Sequence, residues 1–349
     1  MIKNTKLLVI LIIVLLVLGL TVFKNYQSKK TDSTGFNTSV SNAVVAGKEK
    51  NPLSIEVMRK SSYLGSNIII EQTIADGTNY YQYIVSYQSE GLKIYGLLTV
   101  PSGTPPAGGW PVIIFNHGFI PPAQYRTTER YVAYVDGFAR NGYIVFKVDY
   151  RGHGNSEGQP ESAYYSKAYT SDVLNALASI KKYPGVNPNK IGMWGHSMGG
   201  NLTLRSLIIV PSDIKVAVIW GGVVGSYDDL MNNWQRRVSY QPPVPELVNR
   251  NRGRQVLISQ YGTLAQNPDF WNSIDPTFFI SDIKAPIQLD VGGADEEVPV
   301  DFSRRLRDKL QAAGKEVEYF EYPGSDHNIS QAFNQAIENS LRFFDKYLK

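Results

Sequence analysis

One five-residue motif constrains the fold of this chain more than any other feature. Gly195-His196-Ser197-Met198-Gly199 follows a short apolar run with strand character and precedes a helical pattern over residues 201–209. A serine between such glycines is typical of a sharp strand-to-helix turn that exposes the hydroxyl at the carboxyl end of a sheet. The N-terminus of the following helix directs free amides and its dipole toward any oxyanion that forms there. The motif predicts that Ser197 is a nucleophile, and a structural turn that happens to contain serine is the alternative.

Strands and helices alternate through most of the chain. Strands that form hairpins at Asp76-Gly77 and Glu90-Gly91 are predicted first, at 68–74, 80–87 and 92–100. Later strands are predicted at 111–116, 143–149, 215–220, 287–291 and 317–322. Helices are predicted between them at 127–140, 168–183, 302–313 and 329–347. The pattern indicates an α/β fold in which antiparallel strands lead into a mostly parallel sheet with helices on both faces.

The alternation is interrupted once, over residues 223–275, where no clear strand is predicted. An insertion of this length between two core strands usually has a function. We expect it to lie over the carboxyl ends of the strands, above Ser197, as a lid that shapes substrate binding. A plain structural excursion or an oligomer contact is the alternative.

A serine becomes a good nucleophile at neutral pH only with a base and a carboxylate that orients the base. Of the four histidines, only His327 follows Ser197, and it lies in a loop between the last predicted strand and helix. The chain order serine, acid, histidine selects it. Asp295 is the predicted acid because it follows the strand 287–291 in a glycine-rich loop. Less favoured carboxylates lie inside that strand or directly after the predicted acid: Asp290, Glu296 and Glu297.

An oxyanion hole needs two backbone N–H groups. One belongs to the residue after the nucleophile, which is Met198. The other belongs to the loop after the strand 111–116, where Phe119 follows His117-Gly118. Each donor is worth about 3–4 kcal/mol of transition-state stabilisation. The alternative is that this loop only leads the chain out of the strand and has no catalytic role.

An ordered series of motifs resembles the α/β-hydrolase superfamily and, within it, the catalytic domain of the prolyl oligopeptidase family of serine peptidases. The resemblance extends over about 110–349 and rests on residues 149–154 with Ser156, Gly158 and Asp172, on 186–199, and on 285–287, 292–295, 298–299, 322–324 and His327. It implies an α/β-hydrolase fold and hydrolysis of peptide or ester bonds through an acyl-enzyme. The substrate would be a peptide or another small molecule.

Three features depart from the peptidases of that family. The stretch before the core is too short for their large propeller. His117-Gly118-Phe119 stands where the family has His-Gly-Gly, and no element matches the acidic residues with which dipeptidyl members hold a substrate amine. Single-domain relatives are similar to acetyl esterases, so a carboxylesterase without peptidase activity is the main alternative. A catalytically inactive binding protein is a less favoured one.

The amino terminus predicts a membrane anchor. Residues 7–23 are 17 mainly apolar residues with lysines on both sides, and at about 1.5 Å per residue they span roughly 26 Å, enough to cross a bilayer core. No A-x-A cleavage site follows, so within 1–30 an anchor is favoured over a cleaved signal peptide. We expect 31–66 to be a linker and 67–349 to be the catalytic domain, outside the cytoplasm, or secreted if the segment is cleaved.

Composition excludes several classes of function. The absence of cysteine excludes disulfides, thiol catalysis and cysteine metal sites. Five of the 35 Lys and Arg residues lie in the first thirty, so the other 30 nearly balance the 31 Asp and Glu residues, and nucleic acid is not an expected partner. No His/Asp/Glu cluster has metal-ligand spacing, so neither a metal nor another cofactor is implied. The pattern does not predict an oligomeric state.

Overall fold

In the computed structural model, residues 51–235 and 244–349 are described. The predicted anchor over 7–23, most of the predicted linker and residues 236–243 of the insertion lie outside these ranges. In the described ranges, no helix combines the length and the apolar character that a membrane span requires.

Nine strands form one mixed sheet within the described part of the chain. They are β1 Ile69–Ile74, β2 Tyr80–Ser89, β3 Leu92–Pro101, β4 Trp110–Asn116, β5 Ile144–Val148, β6 Val186–His196, β7 Val216–Trp220, β8 Ile287–Gly292 and β9 Val317–Tyr322. The α-helices are α1 Ile55–Lys60, α2 Val132–Ala139, α3 Ala168–Ile180, α4 Met198–Ile209, α5 Val244–Tyr261, α6 Pro268–Ile274, α7 Val300–Ala312 and α8 Phe333–Leu348.

The sheet has the order β1-β2-β3-β5-β4-β6-β7-β8-β9. The pairs β1–β2, β2–β3 and β3–β5 are antiparallel. Every other neighbouring pair is parallel. Antiparallel strands therefore lead into a parallel sheet, and the predicted α/β-hydrolase fold is confirmed.

Hydrophobic cores cover both faces of the sheet. The strand β4 shows why the central strands are apolar along most of their length. Val112 and Ile114 pack into the core that contains residues of α1, α3, α4 and α7. Ile113 and Phe115 point the other way, into the core that contains residues of α2 and α8. Because successive side chains of a strand point to opposite faces, a strand with a core on each side has no polar face.

Two predicted boundaries differ from the structure. The linker prediction for 31–66 extends too far, because Ile55 and Met58 of α1 are fully buried against the domain. A helix of six residues is too short for its apolar periodicity to be recognised. The helix predicted from 127 begins only at Val132, since Tyr131 before it has the left-handed conformation, with φ 62° and ψ 23°. A left-handed residue cannot continue a right-handed helix.

The motif at 149–154 directly follows β5 and has a structural role. Arg151 Nη2 lies 2.8 Å from Asp172 Oδ1, and Arg151 Nε lies 3.0 Å from Asp172 Oδ2, in a largely buried ion pair. This bidentate contact holds the loop after β5 against α3. It accounts for two residues of the resemblance without giving them a part in the chemistry.

Candidate active site

Ser197 occupies a strained turn between β6 and α4, with φ 54° and ψ −118°. Its backbone N–H donates to the carbonyl of Trp220, and its own carbonyl accepts from the N–H of Val223 at 2.9 Å. A β-carbon on Gly199 would lie 1.9 Å from the carbonyl oxygen of Asn116 on β4. Glycine is therefore required where the helix passes β4. The predicted sharp strand-to-helix turn is present.

His327 and Asp295 meet where the loops after β9 and β8 run side by side. His327 Nδ1 lies 2.7 Å from Asp295 Oδ2, and the two side chains are 7% and 0% exposed. The loops approach closely because Gly292 has no side chain: a β-carbon there would lie 2.0 Å from the carbonyl oxygen of Asp326. The other carboxylate oxygen, Asp295 Oδ1, accepts the backbone N–H groups of Glu297 and Val298 at 2.8 and 2.9 Å. The carboxylate is thus held in one orientation.

Asp290, the alternative acid inside β8, belongs to a separate network. It is fully buried, and it accepts the hydroxyl of Tyr322 at 2.7 Å and the side-chain amide of Gln288 at 2.6 Å. Burial raises the pKa of Asp290 from 3.8 to about 7. Because the raised pKa means that the folded state binds the proton more tightly, this carboxyl group costs stability as the pH rises from about 4 to about 7.

Ser197 and His327 line one pocket of about 260 Å³. The remaining lining residues are mainly aromatic or charged side chains and the loop after β4: Gly118, Phe119, Ile120, Arg130, Tyr131, Tyr134, His196, Glu297 and Asn328. The predicted serine and histidine therefore line the same pocket. Asp295 does not line it, and contacts the histidine at Nδ1.

The two predicted oxyanion donors belong to different parts of the chain, the start of α4 and the loop after β4. Met198 is the first residue of α4, where the N–H groups have no partner within the helix. Phe119 lines the pocket and is 43% exposed. The N–H of its neighbour Gly118 donates instead to the hydroxyl of Tyr131 at 2.9 Å. The Gly118 N–H is therefore not the donor that this loop offers to the pocket, and Phe119 stays the candidate.

The other three histidines lie outside the serine–acid arrangement. Burial lowers the pKa of His117 well below 6.5 and that of His153 to about 4, so both are neutral. Their rings pack against each other and against Tyr125. His196 lines the pocket, but its two nitrogens contact Tyr131 and the carbonyl of His327. With both nitrogens engaged, His196 has none left to act as the base for Ser197.

Four side chains at the pocket carry no sequence signal that would have identified them. Arg130, Tyr131 and Tyr134 lie within the helix predicted at 127–140, and Asn328 follows the histidine. The helix prediction over this segment does not indicate which of its side chains face the pocket.

The described residues of the insertion 223–275 contain α5 and α6 and no strand, as predicted. Its described part packs around a small core with Tyr227, Trp271 and Ile274. The buried guanidinium of Arg205 on α4 donates to the Tyr227 hydroxyl at 2.8 Å and to the Ile274 carbonyl at 2.9 Å. Among the described residues, the insertion contacts pocket residues at two points: the Val223 N–H donates to the carbonyl of Ser197 at 2.9 Å, and Trp234 Nε1 donates to the carbonyl of Glu297 at 2.8 Å.

Comparison with known proteins decides the family. The sequence model of the prolyl oligopeptidase family matches residues 130–349, more than half of the chain. The chain belongs to the prolyl oligopeptidase family. As a member of this family it is a serine hydrolase, and the resemblance stated from the motifs is confirmed.

Individual relatives agree with this family assignment. The chain is 25% identical to YtmA, an uncharacterized peptidase of Bacillus subtilis (strain 168), over 74% of this chain and 91% of YtmA. An acetyl xylan esterase from Paenibacillus sp. R4 has a similar fold, with a TM-score of 0.63 and 18% identity over 84% of this chain and 92% of the esterase. The Pyrococcus horikoshii acylaminoacyl peptidase has a TM-score of 0.60 and 18% identity over 78% of this chain, but over only 42% of the peptidase. This family member thus spans most of YtmA and of the esterase, and less than half of the peptidase.

Proposed function

We propose that this protein hydrolyses peptide or ester bonds through an acyl-enzyme on Ser197, with His327 as general base and Asp295 as the acid that orients it. The observation that carries the proposal is the 2.7 Å contact between His327 Nδ1 and Asp295 Oδ2, beside the pocket that His327 shares with Ser197. A carboxylate at Nδ1 accepts the N–H there and leaves the lone pair on Nε2. This tautomer can take the proton of the serine hydroxyl.

In acylation, Ser197 Oγ attacks the substrate carbonyl carbon while its proton passes to His327 Nε2. The imidazolium that forms is stabilised by the Asp295 carboxylate. The tetrahedral intermediate then collapses, and the bond to the leaving group breaks. The alcohol or amine departs with the proton from His327 Nε2, and the acyl group remains on the serine oxygen.

In deacylation, a water molecule takes the place of the leaving group. It attacks the acyl carbon, gives one proton to His327 Nε2, and forms a second tetrahedral intermediate. Collapse of this intermediate releases the carboxylic acid and returns the proton to Ser197 Oγ. In both halves, the N–H groups of Met198 and Phe119 donate to the oxyanion, and each is worth about 3–4 kcal/mol.

The pocket is large enough for a short acyl group. Its volume of about 260 Å³ is below the roughly 300–1,000 Å³ of sites that enclose drug-sized ligands. The second candidate function is therefore the hydrolysis of short-chain esters without peptidase activity. The alignment with an acetyl xylan esterase over 84% of this chain and 92% of the esterase supports that candidate.

Paired substrates test the proposal and separate its two versions. Purified protein and its Ser197→Ala variant are assayed on a peptide amide and on an ester that carry the same acyl group. We expect hydrolysis of at least one substrate and a loss of about 10⁴-fold or more in the variant. Hydrolysis of the ester alone assigns esterase activity. Equal rates in both proteins would contradict the proposal, and the absence of both turnover and labelling by a fluorophosphonate would assign an inactive binding protein.

Two further proposals concern the regions around the domain. The insertion 223–275 borders the substrate site, which the contact between Trp234 and the pocket residue Glu297 supports. Residues 7–23 anchor the protein in a membrane, on the grounds of their length and apolar character. The stretch 31–51, rich in Ser, Thr and Asn, supports a catalytic domain outside the cytoplasm. Removal of 1–30 is expected to release the protein from the membrane fraction of expressing cells.

A further inference from the structure

Tyr131 links the loop after β4 to the loop that carries His327. Its hydroxyl oxygen lies 2.9 Å from the backbone nitrogen of Gly118 and 2.7 Å from His196 Nδ1. The other ring nitrogen, His196 Nε2, lies 3.1 Å from the carbonyl oxygen of His327. A continuous chain of hydrogen bonds therefore runs from Gly118 through two side chains to His327.

The donors and acceptors allow only one direction for this series of hydrogen bonds. The His327 carbonyl can only accept, so His196 Nε2 carries the proton. In a neutral imidazole Nδ1 then has the lone pair, and the Tyr131 hydroxyl must donate to it. The same hydroxyl oxygen accepts the N–H of Gly118, which can only donate. All donors and acceptors in the chain are thus satisfied.

The surroundings keep His196 neutral. The residue is 3% exposed, and its ring packs against Trp194, Tyr131 and the ring of His327. Burial, followed by the nearby imidazole of His327, lowers the pKa of His196 to about 3. The tautomer derived from the hydrogen bonds is therefore the one present at neutral pH.

Backbone strain is concentrated at the same place. Tyr131, Ser197 and Ile329, two residues after the histidine, have positive φ angles of 62°, 54° and 55°. Residues other than glycine rarely adopt such angles, which persist where the surrounding structure enforces them and which are frequent at active sites. In Tyr131 this conformation ends the preceding turn, so that the side chain is directed at Gly118 and His196 rather than continuing a helix.

We propose that Tyr131 and His196 are positioning residues that fix the oxyanion loop relative to the catalytic histidine. Tyr131 binds the Gly118 N–H, which leaves the next N–H, that of Phe119, for the oxyanion. His196 holds the backbone of His327 at a fixed distance from that loop. The proposal rests on the proposed function, since it assigns a geometric role within that reaction.

Removal of one hydroxyl group tests the role of Tyr131. Tyr131→Phe removes the acceptor of the Gly118 N–H and the donor to His196, and keeps the ring. We expect kcat on a p-nitrophenyl ester and the rate of fluorophosphonate labelling to fall by about tenfold to a hundredfold. We expect KM to stay within about twofold, because the hydroxyl is bonded to Gly118 and His196 and the ring that lines the pocket is kept. Tyr80→Phe is the matched control. The Tyr80 hydroxyl donates to Asp136 Oδ1 of α2 at 2.9 Å, and Tyr80 does not line the pocket.

A second pair of variants keeps the test valid if Tyr131→Phe folds poorly. Gln at position 196 presents an amide donor and a carbonyl acceptor at a spacing similar to that of the two imidazole nitrogens, whereas Phe presents neither. We expect His196→Gln to retain most of the labelling rate and His196→Phe to lose about tenfold or more. Unchanged rates in Tyr131→Phe, or equal losses in the two His196 variants, would overturn the inference.

The Ser197→Ala variant separates this inference from the proposed function. If the wild-type protein is labelled and Ser197→Ala is not, the proposed function holds, and the Tyr131 and His196 variants decide the inference alone. If Ser197→Ala is labelled as fast as the wild-type protein, the proposed function fails, and the inference fails with it.

Discussion

Replacement of Asp295 by Asn changes one oxygen atom and should abolish most activity. Asp295 Oδ1 accepts two backbone N–H groups, those of Glu297 and Val298. The amide nitrogen of Asn cannot face two donors, so it must take the place of Oδ2, 2.7 Å from His327 Nδ1. Two N–H groups cannot face each other at that distance. The imidazole proton therefore moves to Nε2, which can then no longer accept the proton of Ser197.

The expected loss for Asp295→Asn is about 10⁴-fold in kcat, as found for the equivalent change of tautomer in serine proteases, or roughly 5.5 kcal/mol. Steady-state kinetics on a p-nitrophenyl ester measure it, and KM should stay nearly constant. Glu296→Gln is the control, because this exposed neighbour loses the same charge without contacting the histidine. Asp295→Asn with more than a tenth of the wild-type kcat would refute the reasoning, and a large loss in Glu296→Gln would transfer the role of the acid to the neighbouring residue.

Two predictions concern stability. Asp290→Asn should remove the fall in stability between pH 4 and 7. It should raise the free energy of unfolding above pH 7 by at most roughly 4 kcal/mol, the difference between a pKa of 3.8 and about 7, because the new amide nitrogen faces a donor, Tyr322 or Gln288. Urea denaturation at several pH values measures this, and an unchanged pH profile would show that Asp290 is ionised in the folded protein. Gly199→Ala places a β-carbon 1.9 Å from the Asn116 carbonyl oxygen and should lower the free energy of unfolding by about 3 kcal/mol. A fully stable variant would mean that the elbow does not pass β4 as closely as described.

Features with a local cause could be predicted from the sequence. The bounds of β9 agree with the prediction at 317–322, because turns on both sides delimit the segment. The candidate serine, histidine and acid are predicted in the same way, since each follows a strand and the carboxyl ends of parallel strands meet at one edge of a sheet. The chain order of the three residues then left one histidine and one favoured carboxylate.

Features with a long-range cause could not be predicted. The burial of α1 depends on contacts such as that between Arg59 Nε and the Ile208 carbonyl, at 3.0 Å and 149 residues apart. The bond between Tyr131 and His196 joins residues 65 positions apart and depends on one left-handed backbone angle. Apolar periodicity contains no information on either feature. For this reason the helix predicted from 127 began five residues too early.

The central claim is that Ser197 carries the acyl group. The most direct test is mass spectrometry of the protein after reaction with a fluorophosphonate, with the adduct located by peptide mapping. The proposed mechanism predicts a single adduct on the peptide that contains Ser197, and no adduct in the Ser197→Ala variant. An adduct on another residue, or continued labelling of that variant, would contradict it.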